Sequence, residues 1–434
     1  MRRYVIIGTG AAGIAAAEAI RRQDPKASVI PISEEPEAYY SRPGLAYFLT
    51  CEIPEEQLYP FKEKDYQRLN IHPLNARVER LNPSEHQVEL NTGMFITYDS
   101  LLIATGAEAV RSGVPGEDLA GVVKLDSLDD ARRILKLSRK ARVAVVVGGG
   151  ITALEFVEGL RARGVKTHYL LRGDRYWANV LDEVESRIIE NRLTEERVEI
   201  HYHTELAEII GKKGKVIGVS TKDGKQIHCD MVAIAVGVTP RKGIATVAGI
   251  KSDRGILVNE YLQTSDPAIY AAGDVAQVFD PISGKSVVDS LWGPARLQGN
   301  AAGLNMAGQS IPYLKKIAFN VTRLAGLTTT IIGAVGNGRD DDLVGIARGD
   351  SETWRQLPDA IAAQDNFEVN HLRILVKNEN LIGSIVMGDQ TLSRPIQHII
   401  TQKVDITPIH DHLLKPKASL GDLIADFWTH YTRN

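Results

Sequence analysis

Sulfur is scarce in this chain: two cysteines, Cys51 and Cys229, among 434 residues. So few exclude a disulfide-stapled fold and a cysteine-rich metal site. No run of eighteen apolar residues occurs, so no segment is long enough to span a bilayer as a helix. Charge of one sign is missing as well. Charged residues make up 24% of the chain but nearly cancel, at net −3, leaving no field to attract nucleic acid or an anionic membrane. Apart from one doubled pattern there is no internal repeat and no low-complexity tract.

Glycine, by contrast, is plentiful, with 38 residues, many clustered after short apolar runs as in nucleotide-binding turns. The length predicts two or three domains with real hydrophobic cores. Arg2 and Arg3 precede an apolar run, as in a secretory signal. Glycines interrupt that run, and a helical pattern with Glu18, Arg21 and Arg22 follows. The segment therefore reads as a first strand and the protein as cytoplasmic.

The stretch "YVIIGTGAAGIAAAEAI" (4–20) is a strand, a glycine turn and a helix reaching about Arg22. "SVIPIS" (28–33) supplies the next strand of a parallel pair. "VVVGGGITALEFVEGL" (145–160) repeats the design, and this unit runs from Val143 to about Arg172. Residues 86–107 predict a hairpin and a buried strand, and the Pro/Gly stretch 111–121 a crossing between domains. A hairpin at 212–230 precedes a buried strand at 231–238, and "SDPAIYAAGDVAQ" (265–277) closes another strand on glycine. After about Tyr313 the character changes, and "HLRILVKNENLIGSIVMG" (371–388) predicts an antiparallel hairpin. The expected fold is α/β, with two Rossmann-like nucleotide-binding domains and a C-terminal α+β domain. The first is discontinuous (1–110 and 241–314), the second spans 111–240, and residues 315–434 form the third, read as an interface.

In the first turn Gly8 permits the tight bend, Gly10 lets the backbone approach a pyrophosphate, and Gly13 lets helix and strand pack closely. The helix N-terminus then offers free N–H groups and partial positive charge to that pyrophosphate. Glu34, at the end of the second strand, stands where a ribose hydroxyl needs an acceptor, with Glu35 as its neighbour. Gly148, Gly150 and Ala153 repeat the logic. The end of the second strand there carries Leu171 and Arg172 in place of an acid, with Asp174 and Arg175 beyond. Arg172 can pair with a 2′-phosphate, which favours NADPH over NADH.

"VIIGTGAAGIAAAEAI", "AYYSRPGLAYFL", "LLIATGA", "VVVGGGITALEFVEGL" and "IYAAGDVA" occur in that order over residues 1–310. Together they resemble the FAD-dependent pyridine nucleotide-disulfide oxidoreductase superfamily, in the manner of rubredoxin and ferredoxin reductases and the NAD(P)H-binding modules of nitrite reductases. The resemblance implies FAD on the first unit and NADPH or NADH on the second. Gly8, Gly10 and Gly13 would hold the FAD pyrophosphate, Glu34 the adenosine ribose and Val78 the adenine, with Arg42 lying along the cofactor. Ala104, Thr105 and Gly106 would close the strand end beside FAD, and Gly273 and Asp274 would meet its ribityl chain. Arg111 stands one residue from the family's usual arginine. Ala12, Glu35, Pro43, Arg77, Gly237 and Ala295 complete the cofactor-binding positions carried over. Glu155 matches a family glutamate near flavin and nicotinamide. Where many members carry a lysine that pairs with it, this chain has Tyr47.

Disulfide reductases of the superfamily use two close cysteines, and none occur here. Coenzyme A-disulfide reductases and related NADH oxidases use one, in a "CGLPYY"-like segment. "RPGLAYF" (42–48) puts Pro43 at that place, with Cys51 eight residues on and read as non-catalytic. The resemblance therefore implies an oxidoreductase moving hydride from nicotinamide to flavin and then electrons to an external acceptor. A small redox protein such as rubredoxin or ferredoxin fits, with quinones and oxygen as alternatives. A flavin-based redox sensor resembling apoptosis-inducing factor is the reading from another class. "DSLWGPARLQGNAAGLNMAG" (289–308) reads as a loop entering a helix with Pro294 in its first turn. The resemblance sets that N-terminus at the flavin, with Trp292 near the ring. "HYH" (201–203) reads as one strand face bearing His201 and His203, without metal ligation, and "HDH" (410–412) as ordinary histidines. "NVT" (320–322) matches a glycosylation signal that has no meaning without secretion. A final helix gathers Leu420, Leu423, Ile424, Phe427, Trp428 and Tyr431 on one face, to pack on its own domain or at a homodimer contact.

Overall fold

Tyr4, Val5, Ile6 and Ile7 are all buried, as a central parallel strand covered on both faces requires. The computed structural model describes residues 1–336, 361–366, 370–415 and 418–432. These four residues lie in β1 (Arg3–Ile7), which leads into α1 (Ala11–Gln23) and β2 (Ser28–Ser33). α2 (Gly44–Leu49), β3 (Leu74–Asn75) and β4 (Ser100–Ile103) follow. The next unit holds β5 (Val122–Val123), β6 (Val143–Val147), α3 (Ile151–Arg161) and β7 (Lys166–Leu170). It continues with α4 (Glu183–Glu195), β8 (Glu199–His201) and β9 (Met231–Ile234). The chain then returns to the first unit through β10 (Ile269–Ala271) and α5 (Trp292–Met306).

The first sheet has the order β10-β4-β1-β2-β3, the second β8-β7-β6-β9-β5, and every pairing in both is parallel. In the first, β2 and β3 step one way from β1, and the later β4 and β10 lie on its other side; in the second, β7 and β8 step one way from β6, with the later β9 and the earlier β5 on its other side. The glycine turn after β1 and that after β6 therefore both sit at a point where the strand order reverses, where crevices open in such sheets.

The expected hairpins within 86–107 and 212–230 each belong to a three-stranded antiparallel meander. Val78–Asn82 joins Gln87–Leu90 and Phe95–Thr97, and Leu206–Lys212 joins Lys215–Thr221 and Gln226–His228. The extra strands lack a clean period of two. Only Leu81 is buried in the first, and a register shift between Leu206 and Glu208 breaks the alternation of the second.

α1 and α5 pack backbone to backbone. A Cβ on Gly299 would stand 2.1 Å from the Ala12 carbonyl oxygen, and one on Gly303 would stand 2.5 Å from that of Ala16. Any larger residue would force the helices apart. Their N-termini therefore open onto the same space.

In the C-terminal part β11 (Phe319–Leu324), β12 (Leu327–Gly333), β13 (Ile361–Asn366), β14 (His371–Lys377) and β15 (Asn380–Met387) form an antiparallel sheet. Its order is β11-β12-β15-β14-β13. The predicted hairpin is β14–β15. α6 (Ser393–Thr401), α7 (Thr407–Leu413) and α8 (Leu420–Tyr431) follow. The apolar face of α8 packs on its own sheet. Leu420 and Ile424 are buried with Ile332, Ile374 and Ile396, and Leu423, Phe427 and Trp428 cover the same cluster.

This sheet is fastened to the second unit by a buried ion pair. Arg373 on β14 donates to Glu185 on α4 through Nε at 2.8 Å, and to the carbonyls of Val180 and Val335 at 2.8 and 3.1 Å. His371 Nε2 lies 3.2 Å from the same Glu185 oxygen. Burial alone would raise the Glu185 pKa, but Arg373 and His371 outweigh it and hold the carboxyl below its ordinary value. Removing one member of such a pair leaves an uncompensated buried charge, which costs about 3–5 kcal/mol. Arg373→Met should therefore lower stability by about that much in urea titration, and a loss below about 1 kcal/mol would show the pair to be solvated.

Candidate functional site

The strand ends of the first sheet, the N-termini of α1 and α5, and the α2 segment enclose a cavity of about 520 Å³. Its floor is the first glycine turn. Gly8 has φ +107°, and a Cβ there would fall 2.2 Å from the Ala104 carbonyl oxygen. A Cβ on Gly13 would fall 1.9 Å from the Gly8 oxygen, so Gly13 serves the packing of helix on strand. A Cβ on Gly10, by contrast, would meet nothing within 4 Å. The N-terminus of α1 thus faces open space, as the docking of a pyrophosphate needs. Ser290 adds a buried hydroxyl to the wall with no hydrogen-bond partner among the described residues. These features fit a dinucleotide.

Ala12, Glu34, Glu35, Arg42, Pro43, Tyr47, Arg77 and Val78 line the cavity. So do Ala104, Thr105, Gly106, Glu155, Gly273, Asp274, Trp292 and Ala295. The two neighbouring acids differ. Glu35 accepts from the Tyr40 hydroxyl at 2.6 Å and from Arg42, which also donates to the Asp126 carbonyl. Burial pushes the Tyr40 hydroxyl well up, so it stays a donor. Glu34 is half exposed at the mouth, its Oε1 3.3 Å from Arg241 Nη1. Gly273, at φ +79°, would carry a Cβ 3.1 Å from that of Ala12, and its N–H donates to Gln298 at 2.8 Å. At the rim Arg296 lies over the exposed Trp292 ring, 5.4 Å from its centroid, and pairs with Glu18 at 3.0 Å.

Arg111 corrects an expectation: it does not line the cavity. Its guanidinium is exposed and pairs with Asp118 at 2.6 Å and Glu117 at 3.7 Å, because the segment after residue 109 leads away towards the second unit. The second turn repeats the close approach of the first. Gly148 has φ +145°, and a Cβ there would stand 2.1 Å from the Ala235 oxygen and 3.2 Å from the Ala153 Cβ. Gly150 caps α3, and Gly237, at φ +126°, lies past the end of β9. Leu171 is buried and Arg172 exposed just past β7, while Asp174 pairs with Arg175 at 3.1 Å. The acid standing between the two arginines is thus engaged by Arg175.

Where the two units meet, α3 presents Glu155 and, one turn on, Glu158. Glu158 accepts from the Gly326 N–H at 3.2 Å. Burial pushes its carboxyl up to about 7, against the pull of Arg323. Arg323 arrives from β11, grips both oxygens of Glu52, and lies over the Tyr47 ring 5.6 Å from its centroid. A guanidinium from the C-terminal sheet therefore reaches the neighbourhood where a lysine was missing. Asn320–Arg323 line the cavity although the tripeptide at 320–322 carries no cofactor motif, and Arg241 and Glu158 were equally silent in sequence. Only the docking of distant segments brings them in.

Neither cysteine lines the cavity. Cys51 is exposed, at φ +64°, and accepts from Arg163 at 3.0 Å. Cys229 is buried, and burial pushes its thiol up to about 12. His203 is not on the strand expected for it. β8 ends at His201, and His203 takes a left-handed backbone at φ +49°.

The family model for pyridine nucleotide-disulphide oxidoreductases matches residues 2–298. An NADH oxidase of Methanocaldococcus jannaschii is 31% identical over 341 residues, covering 75% of this chain and 74% of its own. A rubredoxin-NAD(+) reductase of Pseudomonas putida is 29% identical over 333 residues, covering 76% and 86%. The crystal structure of a ferredoxin reductase from Rhodopseudomonas palustris superposes with a TM-score of 0.85 over 97% of this chain and 99% of that one, at 24% identity. Among the described residues no helix is long and apolar enough to cross a membrane. With two nucleotide turns, a matched cavity and this kinship, the chain belongs to the pyridine nucleotide-disulphide oxidoreductase family and is an oxidoreductase using FAD and a nicotinamide dinucleotide.

Proposed function

We propose that the protein takes electrons from NADPH or NADH through FAD and passes them to a small redox protein of the rubredoxin or ferredoxin kind. The observation that carries this reading is the place of sulfur. Cys51 and Cys229 both lie off the cavity lining, and the α2 segment offers Pro43 where a thiol would serve. The acceptor is therefore external. The relative named for rubredoxin supports a protein carrier. The relative named NADH oxidase supports oxygen as the second reading.

Bound FAD supplies the chemistry, accepting two electrons from the nicotinamide and yielding them singly. In this reading Gly8, Gly10 and Ala12 receive its pyrophosphate at the α1 N-terminus, and Glu34 the ribose, Glu35 being committed to Arg42. Arg77 and Val78 bound the adenine, and Ala104–Gly106, Gly273 and Asp274 bound the ribityl side. Trp292 and Ala295 bring the α5 N-terminus to the flavin, where its dipole favours negative charge. Gly148, Gly150, Ala153 and Gly237 cradle the nicotinamide dinucleotide, Arg172 faces a 2′-phosphate, and Glu155 and Tyr47 stand between the rings. Residues 1–110 and 241–314 then act as the FAD domain, 111–240 as the nicotinamide domain and 315–434 as the interface domain of a cytoplasmic homodimer.

Anaerobic reduction by NADPH followed by mixing with rubredoxin, ferredoxin or air decides the acceptor. A carrier should reoxidise the flavin at least about tenfold faster than air, with turnover kept in Cys51→Ser; faster reoxidation by air selects the oxidase reading. Arg172→Glu should raise the KM for NADPH about tenfold, the worth of roughly 1.4 kcal/mol, and leave NADH nearly unchanged. Equal effects on both would remove the argument for a 2′-phosphate. Glu158 gives a pH signature. Its folded pKa of about 7 exceeds the ordinary 4.5, so the folded state keeps its proton longer and stability falls as pH rises through that window. Glu158→Gln removes the loss. Its thermal midpoint relative to the parent should climb between about pH 5 and about pH 8, and a pH-independent difference would rule out the raised pKa.

A further inference from the structure

On the edge of the second sheet, away from the cavity, β7 and β8 pair in parallel with His168 opposite Glu199 and Leu170 opposite His201. The two-residue period sends His168, Glu199 and His201 to one face, the face of Leu170 that the meander from Leu206 to His228 covers. His168 Nδ1 lies 3.0 Å from His201 Nε2 and 3.1 Å from Glu199 Oε2. All three donor atoms fall within 4.8 Å of one another. Around a tetrahedral ion with bonds of about 2.1 Å, donors stand about 3.4 Å apart, so the two separations from His168 need widen by only a few tenths of an ångström.

We propose that His168, Glu199 and His201 form a binding site for a divalent cation of the zinc class. Two imidazole nitrogens and one carboxylate oxygen are a borderline donor set, suited to zinc and not to magnesium or calcium. Burial lowers the pKa of both histidines, and an ion would displace the proton that His168 Nδ1 and His201 Nε2 now share. Glu199 divides its oxygens: Oε1 holds Lys166 at 2.6 Å and Oε2 faces the histidines. Asp223 and Lys225, on the meander turn beside His201, add one charge of each sign. Glu199 is exposed and His201 half-buried, which gives an ion entry from solvent and a fourth position for water. The site has a structural use. β8 is a three-residue edge strand, and an ion bridging it to β7 staples that edge. The staple also steadies the segment bearing Arg172, since Leu171 donates to the His201 carbonyl at 2.9 Å and His203 to that of Gly173 at 3.0 Å.

The test uses the full flavin-loaded protein, stripped with chelator and titrated with zinc by calorimetry and thermal melting. One equivalent should bind and raise the melting temperature, and His168→Ala or His201→Ala should each weaken binding about tenfold or more. Should either alanine variant fail to fold, as judged by flavin retention and circular dichroism, Glu199→Gln gives the same reading from an exposed position. An affinity lowered about tenfold or more in Glu199→Gln supports the site. No saturable uptake by the parent, or uptake with unchanged affinity in the folded variants, overturns it.

Discussion

One carbonyl oxygen at the end of a strand sets the plan of this molecule. The Ala104 oxygen lies so close to the Gly8 α-carbon that a side chain there would stand 2.2 Å from it, and the Ala235 oxygen bears on Gly148 in the same way at 2.1 Å. Both glycines take a φ that other residues adopt only under strain. The close approach lets each chain leave its strand, turn within a few residues and start a helix whose N-terminus points over the neighbouring strand ends. That neighbour lies on the opposite side of the first strand from the second, so a crevice opens where the helix begins. The two glycine turns are one steric arrangement used twice.

The first crevice becomes a cavity because other parts close on it. Gly299 and Gly303 let α5 lie directly on Ala12 and Ala16, which brings a second helix N-terminus to the same space. Three arginines from distant segments then guard its mouth, each matched to an acid: Arg42 with Glu35, Arg241 with Glu34, Arg323 with Glu52. Such pairing keeps the walls near neutral while leaving polar groups ready at the surface. The pairs are only partly exposed, and each holds its arginine in place at the cavity wall.

Much of this was legible in the sequence because the glycine turns report local geometry. Gly8 and Gly13 must be small for reasons set by the turn itself and the neighbouring strand end, Gly10 leaves the space before α1 open, and the apolar run before them is a strand in any context. The same holds for Gly148, which the Ala235 oxygen and the Ala153 Cβ crowd. Arg323 was not legible, because its part comes from docking a sheet whose strands look like any amphipathic strand. Arg111 misled for the opposite reason: its place in the chain suggested the cavity, but nearby Asp118 and Glu117 hold it in solvent. His168 was overlooked as a companion of His201 since the two meet only through the register of parallel strands, which spacing along the chain does not reveal. Glu34 and Glu35 look alike as letters, and only the Tyr40 hydroxyl and Arg42 tell them apart.

The C-terminal sheet shows how a site can depend on contacts far from it. Arg323 stands over Tyr47 only if the turn joining β11 to β12 sits on the second unit. That turn is held at its tip by Arg192 donating to the Ala325 carbonyl at 2.6 Å and by Gly326 donating to Glu158. The rest of the sheet is held by Arg373 reaching Glu185, whose N–H is itself capped by Asp182 at 2.9 Å in the first turn of α4. Glu185 thus serves helix and sheet together. Because the pair is buried, the sheet has no cheap alternative seat: sliding it would strand a charge on each side. A lock beneath the sheet and a latch at the hairpin tip therefore fix one guanidinium beside the Tyr47 ring, and a segment without any nucleotide motif becomes part of the cavity lining.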